Sequence, residues 1–144
     1  MPGSVLFACS TNSVRSPMAE ALLRHYHGHR LFVHSVGVRR RDVDPFAIAV
    51  MAERGMDLSA HRARSFDDLD DFNVDLAITL TPEAHHRTLE LTRTYAIEVE
   101  YWPTEDPTVY EGSREAVLDA FRAVRDFLDR RILERFPIIG APRI

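Results

Sequence analysis

One short segment limits what this chain can fold into. Residues 5–8 are apolar and lead directly to Cys9, the single cysteine among 144 residues. Small polar residues follow, and then Arg15 and a Ser16-Pro17 pair, which is typical of a helix start. A buried strand, a tight loop and a helix N-terminus are the parts that hold an anion against backbone N–H groups. The segment therefore predicts an anion-binding loop with a thiol at one end and a guanidinium at the other.

Strands and helices are predicted to alternate along the whole chain. Apolar runs indicate strands over residues 4–8, 31–36, 74–80 and 97–102. Helical spacing of apolar residues indicates helices over residues 17–27, 45–54, 82–92 and 114–135, with Ser16, Asp44 and Ser113 as N-caps. This alternation predicts an α/β fold, a three-layer sandwich in which helices cover both faces of a four-stranded parallel sheet. Since the sequence contains no linker or repeat, we expect one domain over residues 1–144, with an irregular tail after residue 136.

The same topology brings a carboxylate towards the thiol. In parallel sheets, ligands bind beyond the carboxyl ends of the strands, where the strand order switches. The loops after the first and fourth predicted strands, which carry Cys9 and Asp106, then share one edge. An Asp-Pro pair such as Asp106-Pro107 is most often only a turn. The shared edge is what makes Asp106 a candidate to act together with Cys9.

Composition and charge exclude several classes of protein. The net charge of −4 at pH 7 argues against a general nucleic-acid binder. No stretch approaches the roughly 20 apolar residues of a membrane span. The N-terminus also lacks the basic and then apolar segment of a signal peptide. We therefore expect a cytoplasmic protein with no nucleic-acid partner and no membrane association.

The sequence offers little with which to bind a metal. One cysteine excludes an internal disulfide and a multi-cysteine metal site. His85 and His86 are neighbours on a predicted helix and so point in different directions, which predicts surface residues rather than ligands. We expect no metal and no cofactor.

Several spaced motifs occur in order across nearly the whole chain. They are CSTNSVRSPMAE at 9–20, HSVG at 34–37, SAHRAR at 59–64, DLAITL at 75–80, and the segment from Trp102 to Asp106-Pro107. Together they resemble the low-molecular-weight protein tyrosine phosphatase superfamily, which also includes thioredoxin-linked arsenate reductases. Such a set is far more specific than a Cys-x5-Arg loop alone.

The resemblance implies a cysteine-dependent phosphomonoesterase, most similar to a protein tyrosine phosphatase. Cys9 would attack phosphorus in line and form a phosphocysteine intermediate. Arg15 would bind two phosphate oxygens, while Asp106 would protonate the leaving oxygen and then activate water. The remaining hydrogen bonds to phosphate would come from the backbone of the loop. The implied phosphate-binding residues are Ser10, Thr11, Asn12, Ser13, Val14 and Arg15.

Asn12 and three further residues are implied to support the loop. In the resembled family, an Asn at the position of Asn12 is held by a Ser and a His that match Ser35 and His61. A hydrogen bond from Ser16 would favour the thiolate form of Cys9. A simpler interpretation stays open, because Asn12 tolerates left-handed backbone geometry and could merely help the loop to turn. His61 could likewise cap a polar connection.

The chain also departs from the family. Thr11 stands where the family usually has Gly, and a β-branched residue disfavours a positive φ. Val14 stands where a second cysteine often precedes the arginine, so a protective disulfide within the loop is excluded. Thioredoxin-linked arsenate reduction needs two further cysteines, which are absent. A reductase that uses an external thiol stays open.

Substrate preference is the open question. Ser13 matches the arsenate reductases, whereas tyrosine phosphatases carry a bulky aliphatic residue there and arginine phosphatases carry Thr. Arg39, Arg40 and Arg41 follow the second strand, and Tyr110 comes late after Asp106-Pro107. These residues predict a polar, cationic cleft mouth, or else no more than a solvated loop.

Three functions therefore remain. The first is hydrolysis of a phosphorylated protein or a small phosphomonoester. The second is arsenate reduction with an external thiol, or arginine phosphatase activity, on the same scaffold. The third is a catalytically weak oxyanion-binding regulatory module. A monomer or a weak homodimer is expected.

Overall fold

Four parallel strands form one sheet in the order β2-β1-β3-β4. The computed structural model describes residues 2–70 and 72–138. The strands are β1 (Ser4–Cys9), β2 (Phe32–Gly37), β3 (Leu76–Thr79) and β4 (Glu98–Tyr101). This arrangement confirms the predicted α/β fold with a four-stranded parallel sheet. The tail predicted after residue 136 lies mostly outside the described residues.

Helices cover both faces of the sheet. They are α1 (Arg15–His27), α2 (Pro45–Ala52), α3 (Pro82–Leu91) and α4 (Arg114–Arg135). Side chains alternate along β1, so Val5, Phe7 and Cys9 belong to the larger core with α1, α2 and α4. Leu6 and Ala8 belong to the smaller core, to which α3 contributes Ala84. No helix in residues 2–70 or 72–138 has the length and apolar content needed to cross a membrane.

The connections on either side of β1 set the location of the site. In the sheet, β2 pairs with one edge of β1, and β3, which follows later in the chain, pairs with the other edge. The carboxyl end of β1 is therefore a topological switch point, where loops separate and leave a crevice. Cys9 is the last residue of β1 and lies at that point.

The predicted helix start at Ser16 is wrong. The first helix begins at Arg15, with Val14 as its N-cap, and Ser16 makes no capping bond. Ser16 is instead the second residue of α1, and its hydroxyl contacts Cys9 and Asn12. The N-caps Asp44 and Ser113 accept the expected backbone hydrogen bonds, from Phe46 N and Ala116 N respectively.

Candidate active site

The loop from Cys9 to Arg15 is held by the segment that follows β2. Four loop carbonyls accept hydrogen bonds from backbone N–H groups of that segment. The pairs are Val38 N to Cys9 O (3.1 Å), Arg39 N to Ser10 O (2.8 Å), Arg41 N to Thr11 O (3.0 Å) and Asp44 N to Ser13 O (3.0 Å). In a trans peptide, the N–H group of the next residue points the opposite way from each carbonyl. The N–H groups of residues 10, 11, 12 and 14 are thereby directed to the inner side of the loop, as an anion cradle requires.

Gly37 allows β2 to approach this loop closely. A Cβ atom at Gly37 would lie 2.6 Å from both Asn12 N and Thr11 C, and would also clash with the carbonyl oxygen of Arg39. These are backbone atoms, which cannot rotate away as a side chain could. The contact between the end of β2 and the loop therefore requires glycine.

The buried side chain of Asn12 fixes the conformation of the loop through hydrogen bonds. Its φ is 54°, and in residues 2–70 and 72–138 it is the only residue other than glycine with a positive φ. The fully buried side chain donates to Ser16 Oγ (2.8 Å) and Ser35 Oγ (2.9 Å). Its Oδ1 accepts from Arg64 N (2.8 Å) and contacts His61 Nε2 (3.1 Å). The contacts expected from Ser35 and His61 are thus present, and the left-handed geometry falls on Asn12 rather than on Thr11.

The thiol of Cys9 is buried and in contact with one hydroxyl. Cys9 is only 1% exposed, and its Sγ lies 2.9 Å from Ser16 Oγ. Since Asn12 donates to Ser16 Oγ, that hydroxyl keeps one proton, which can go to Cys9 Sγ or to the Val36 carbonyl oxygen at 3.3 Å. A thiolate at Cys9 would attract this proton more strongly than the carbonyl does.

Glu20 completes the network and is a residue that sequence reasoning missed. It is buried and accepts from Ser35 Oγ (2.8 Å), with His61 Nδ1 at 3.5 Å and Arg24 Nη2 at 2.8 Å. Burial raises the pKa of Glu20, but hydrogen bonds from His61 and Ser35 and the charge of Arg24 outweigh burial and hold it below its usual value. A usable signal was the position of Glu20 one helical turn after Ser16, on the same face of α1.

Arg15 and Asp106 face each other across the cradle. Arg15 Nη1 donates to the Thr104 carbonyl oxygen (2.9 Å), and its Nη2 lies 4.0 Å from Asp106 Oδ2. Asp106 also starts a short 3₁₀ turn, Pro107–Val109, and its Oδ1 accepts from Thr108 N and Oγ1.

The environment of Asp106 favours its charged form. Burial raises the pKa of Asp106, but the two hydrogen bonds from Thr108 and the charges of Arg15 and Arg41 lower it further than burial raises it. Its pKa therefore lies below the usual value, and Asp106 is a carboxylate at neutral pH in the free protein. An anion bound beside Arg15 would oppose this effect and favour protonation of Asp106.

A polar cleft of about 320 Å³ opens above the loop. Arg39, Arg41, Asp44 and Thr108 line it together with Asp106 and the loop. None of its lining residues within the described part of the chain is aromatic. Arg39 is also held by Glu83, with two contacts of 2.6 and 3.0 Å.

Arg40 and Tyr110, the two other residues that could have lined the cleft, lie outside it. Arg40 pairs with Asp68 at 3.5 Å, and Tyr110 Oη contacts Glu105 at 3.4 Å. Neither side chain lines the cleft.

His85 is less exposed than the surface location predicted for it. His85 is half-buried, because its ring stacks on Tyr101 at 4.6 Å and its Nδ1 lies 2.9 Å from Thr79 Oγ1. His86 is exposed, as predicted. Among residues 2–70 and 72–138, no cluster of three His, Cys, Asp or Glu residues could hold a metal ion.

A parallel α/β sheet with a Cys-x5-Arg anion cradle at its switch point defines a class of phosphate-loop proteins. The sequence matches the profile of the family described as low molecular weight phosphotyrosine protein phosphatase over residues 4–136, and the chain belongs to that family. The resemblance inferred from the motifs is thereby confirmed.

Relatives include both arsenate reductases and tyrosine phosphatases. An arsenate reductase of Bacillus licheniformis is 33% identical over 137 residues, which cover 95% of this chain and 96% of the relative. A solved arsenate reductase in the phosphate-binding state has a TM-score of 0.73 at 28% identity, with coverage of 96% and 99%. A solved protein tyrosine phosphatase has a TM-score of 0.75 at 27% identity, with 97% of each chain covered. The chain is an enzyme of this superfamily.

Proposed function

We propose that this enzyme reduces arsenate with an external thiol, through a covalent intermediate on Cys9. The observation that carries the proposal is the lining of the cleft above Cys9, which is polar, contains three arginines and two aspartates, and includes no aromatic side chain among the described residues. The phenyl ring of phosphotyrosine gains most from an apolar or aromatic wall. A bare tetrahedral oxyanion needs only the cradle, Arg15 and a proton donor. Relatives named as arsenate reductases support the same choice.

In the first step, the Cys9 thiolate attacks arsenic and a sulfur–arsenic bond forms. One arsenate hydroxyl leaves as water after Asp106 donates a proton to it. Arg15 and the inward N–H groups of the loop hold the other oxygens. Ser16 Oγ, at 2.9 Å from Cys9 Sγ, stabilises the thiolate before attack.

In the second step, the external thiol supplies the electrons. Asp106, now a carboxylate, takes the proton of the thiol, and the resulting thiolate attacks Cys9 Sγ. The sulfur–arsenic bond breaks, its electron pair stays on arsenic, and arsenite leaves. A second thiol then attacks the mixed disulfide and releases Cys9, so two thiols become one disulfide. An external thiol is needed because Cys9 is the only cysteine of the chain.

The test measures arsenite formed by the purified protein from arsenate and a supplied thiol. We expect arsenite formation that depends on the thiol and is abolished in both Cys9→Ser and Cys9→Ala. Phosphate should inhibit competitively, because it fits the same cradle. Absence of arsenite under conditions in which an aryl phosphate is hydrolysed would contradict the proposal.

Phosphomonoester hydrolysis is the second candidate, and the position of Asp106 favours it. With its carboxylate 4.0 Å from the Arg15 guanidinium, Asp106 could protonate an ester oxygen and then activate water. A panel of p-nitrophenyl phosphate, phosphotyrosine and phosphoarginine, compared with arsenate, separates the two functions. A protein that bound phosphate but turned over none of these substrates would instead be an oxyanion-binding module.

A further inference from the structure

A second concave surface adjoins the cleft. We call it the arginine groove: it has a volume of about 660 Å³ and lies between residues 40–43 and residues 59–63. Arg41 lines both the groove and the cleft above Cys9. The two spaces therefore meet at one guanidinium, and both fall within the size range of small-molecule sites.

Two arginines of the arginine groove have no direct ion-pair partner among the described residues. Arg41 and Arg62 are exposed, and within the described residues neither side chain makes a hydrogen bond or an ion pair. Arg40 shares its charge with Asp68 at 3.5 Å. Asp42 is the one carboxylate among the described lining residues. The charge of Arg41 also acts on Asp106. Two guanidinium groups without a direct ion pair on one concave surface are nevertheless suited to bind carboxylates, since each offers paired N–H donors.

The depth of Cys9 limits what can deliver a thiol to it. Cys9 is 1% exposed at the base of a cleft of about 320 Å³. A cysteine on the surface of a folded protein would bring its neighbouring backbone and side chains against the cleft walls, whereas the slender thiol arm of a small molecule would not. The body of such a molecule would then lie at the cleft mouth, next to Arg41.

We propose that the arginine groove binds the carboxylates of a low-molecular-weight anionic thiol, the second substrate of the reaction. Arg62 and Arg41 hold its carboxylates, and its thiol arm enters the cleft past Arg41. This inference rests on the proposed use of an external thiol. It adds the chemical class of that thiol and the residues that recognise it.

Thiol–disulfide exchange at Cys9 tests the groove without arsenate. The Cys9 thiolate attacks one sulfur of an added disulfide, a mixed disulfide forms, and the other half leaves as a thiolate. Three reagents are compared by the rate of mass increase: oxidised glutathione (anionic), 2-hydroxyethyl disulfide (neutral) and cystamine (cationic). The neutral reagent reports the reactivity of Cys9 itself, so the ratio of anionic to neutral rates reports the groove.

We expect Arg41→Gln and Arg62→Gln each to lower the anionic-to-neutral ratio about two- to fivefold, as for exposed charge pairs. The cationic-to-neutral ratio should rise. Arg93→Gln, an exposed arginine beyond the end of α3, is the matched control and should change neither ratio. The preference for the anionic reagent should also weaken in high salt.

Ratios that stay unchanged in both groove variants would overturn this inference, even if arsenate is reduced. An altered ratio in a protein that makes no arsenite would leave the anionic groove in place and remove the proposed function. The two failures can therefore be told apart.

Discussion

Replacing Asn12 tests whether its hydrogen bonds hold the anion cradle in shape. Asn12→Ala removes four contacts between buried or half-buried groups, to Ser16, Ser35, His61 and Arg64 N. Each net bond contributes about 0.5–1.5 kcal/mol, and alanine at a φ of 54° adds about 1 kcal/mol of strain. With four bonds at about 1 kcal/mol each and the added strain, we expect a loss of about 5 kcal/mol in the free energy of unfolding, which is large for one substitution.

Asn12→Gly is the matched control for strain. Glycine adopts a φ of 54° freely but has no amide, so it should lose about 1 kcal/mol less than alanine. Urea unfolding gives both free energies, and protection of Cys9 from iodoacetamide by phosphate reports the cradle. A glycine variant as stable as the parent to within about 0.5 kcal/mol, with full phosphate protection, would refute the reasoning.

Three other substitutions probe the same site. Asp106→Asn should slow turnover of substrates with poor leaving groups about 10²–10⁴-fold, and should slow substrates with good leaving groups less, as measured across a leaving-group series. In the parent protein the pKa of Asp106 is lowered, so kcat/KM should fall as pH rises and the protonated form of Asp106 is lost. Because the pKa of Glu20 is lower in the folded than in the unfolded state, its carboxylate stabilises the fold at pH values above the unfolded pKa of about 4.3. This stabilisation is lost as the pH falls through the lower pKa of the folded state. Glu20→Gln should flatten that acid dependence in urea melts. Gly37→Ala should cost about 1–3 kcal/mol and weaken phosphate binding measured by calorimetry, whereas Gly3→Ala, which meets only the Asp75 side chain at 3.2 Å, should not affect binding.

The order of strand and helix patterns along the chain was sufficient to predict the fold. Alternating apolar runs and helical patterns predicted the parallel sheet, and local capping residues such as Asp44 and Ser113 predicted two of the helix starts. These signals are local, because each depends on neighbours within a few residues. The Asp106-Pro107 pair indicated a turn, but its 3₁₀ form was not predicted, since a proline-containing loop has no periodicity to read.

Side-chain direction could not be predicted in the same way. Arg39, Arg40 and Arg41 are consecutive, yet the first and third line the cleft while Arg40 turns towards Asp68. That outcome depends on the bonds of Arg39 N and Arg41 N to the loop carbonyls, which join segments about thirty residues apart. The half-buried position of His85 on α3 likewise depends on Tyr101, the last residue of β4.

The loop from Cys9 to Arg15 depends partly on features that the sequence determines and partly on features that only the tertiary structure decides. The sequence by itself determined that a lone thiol and a guanidinium would flank a short polar loop between a strand and a helix. Only the tertiary structure decided that Ser16 contacts Cys9 instead of capping α1, that Glu20 joins the network through Ser35 and that the backbone of Gly37 touches the loop. The reason is that a hydrogen bond depends on distance and angle in space, and packing of remote segments fixes both.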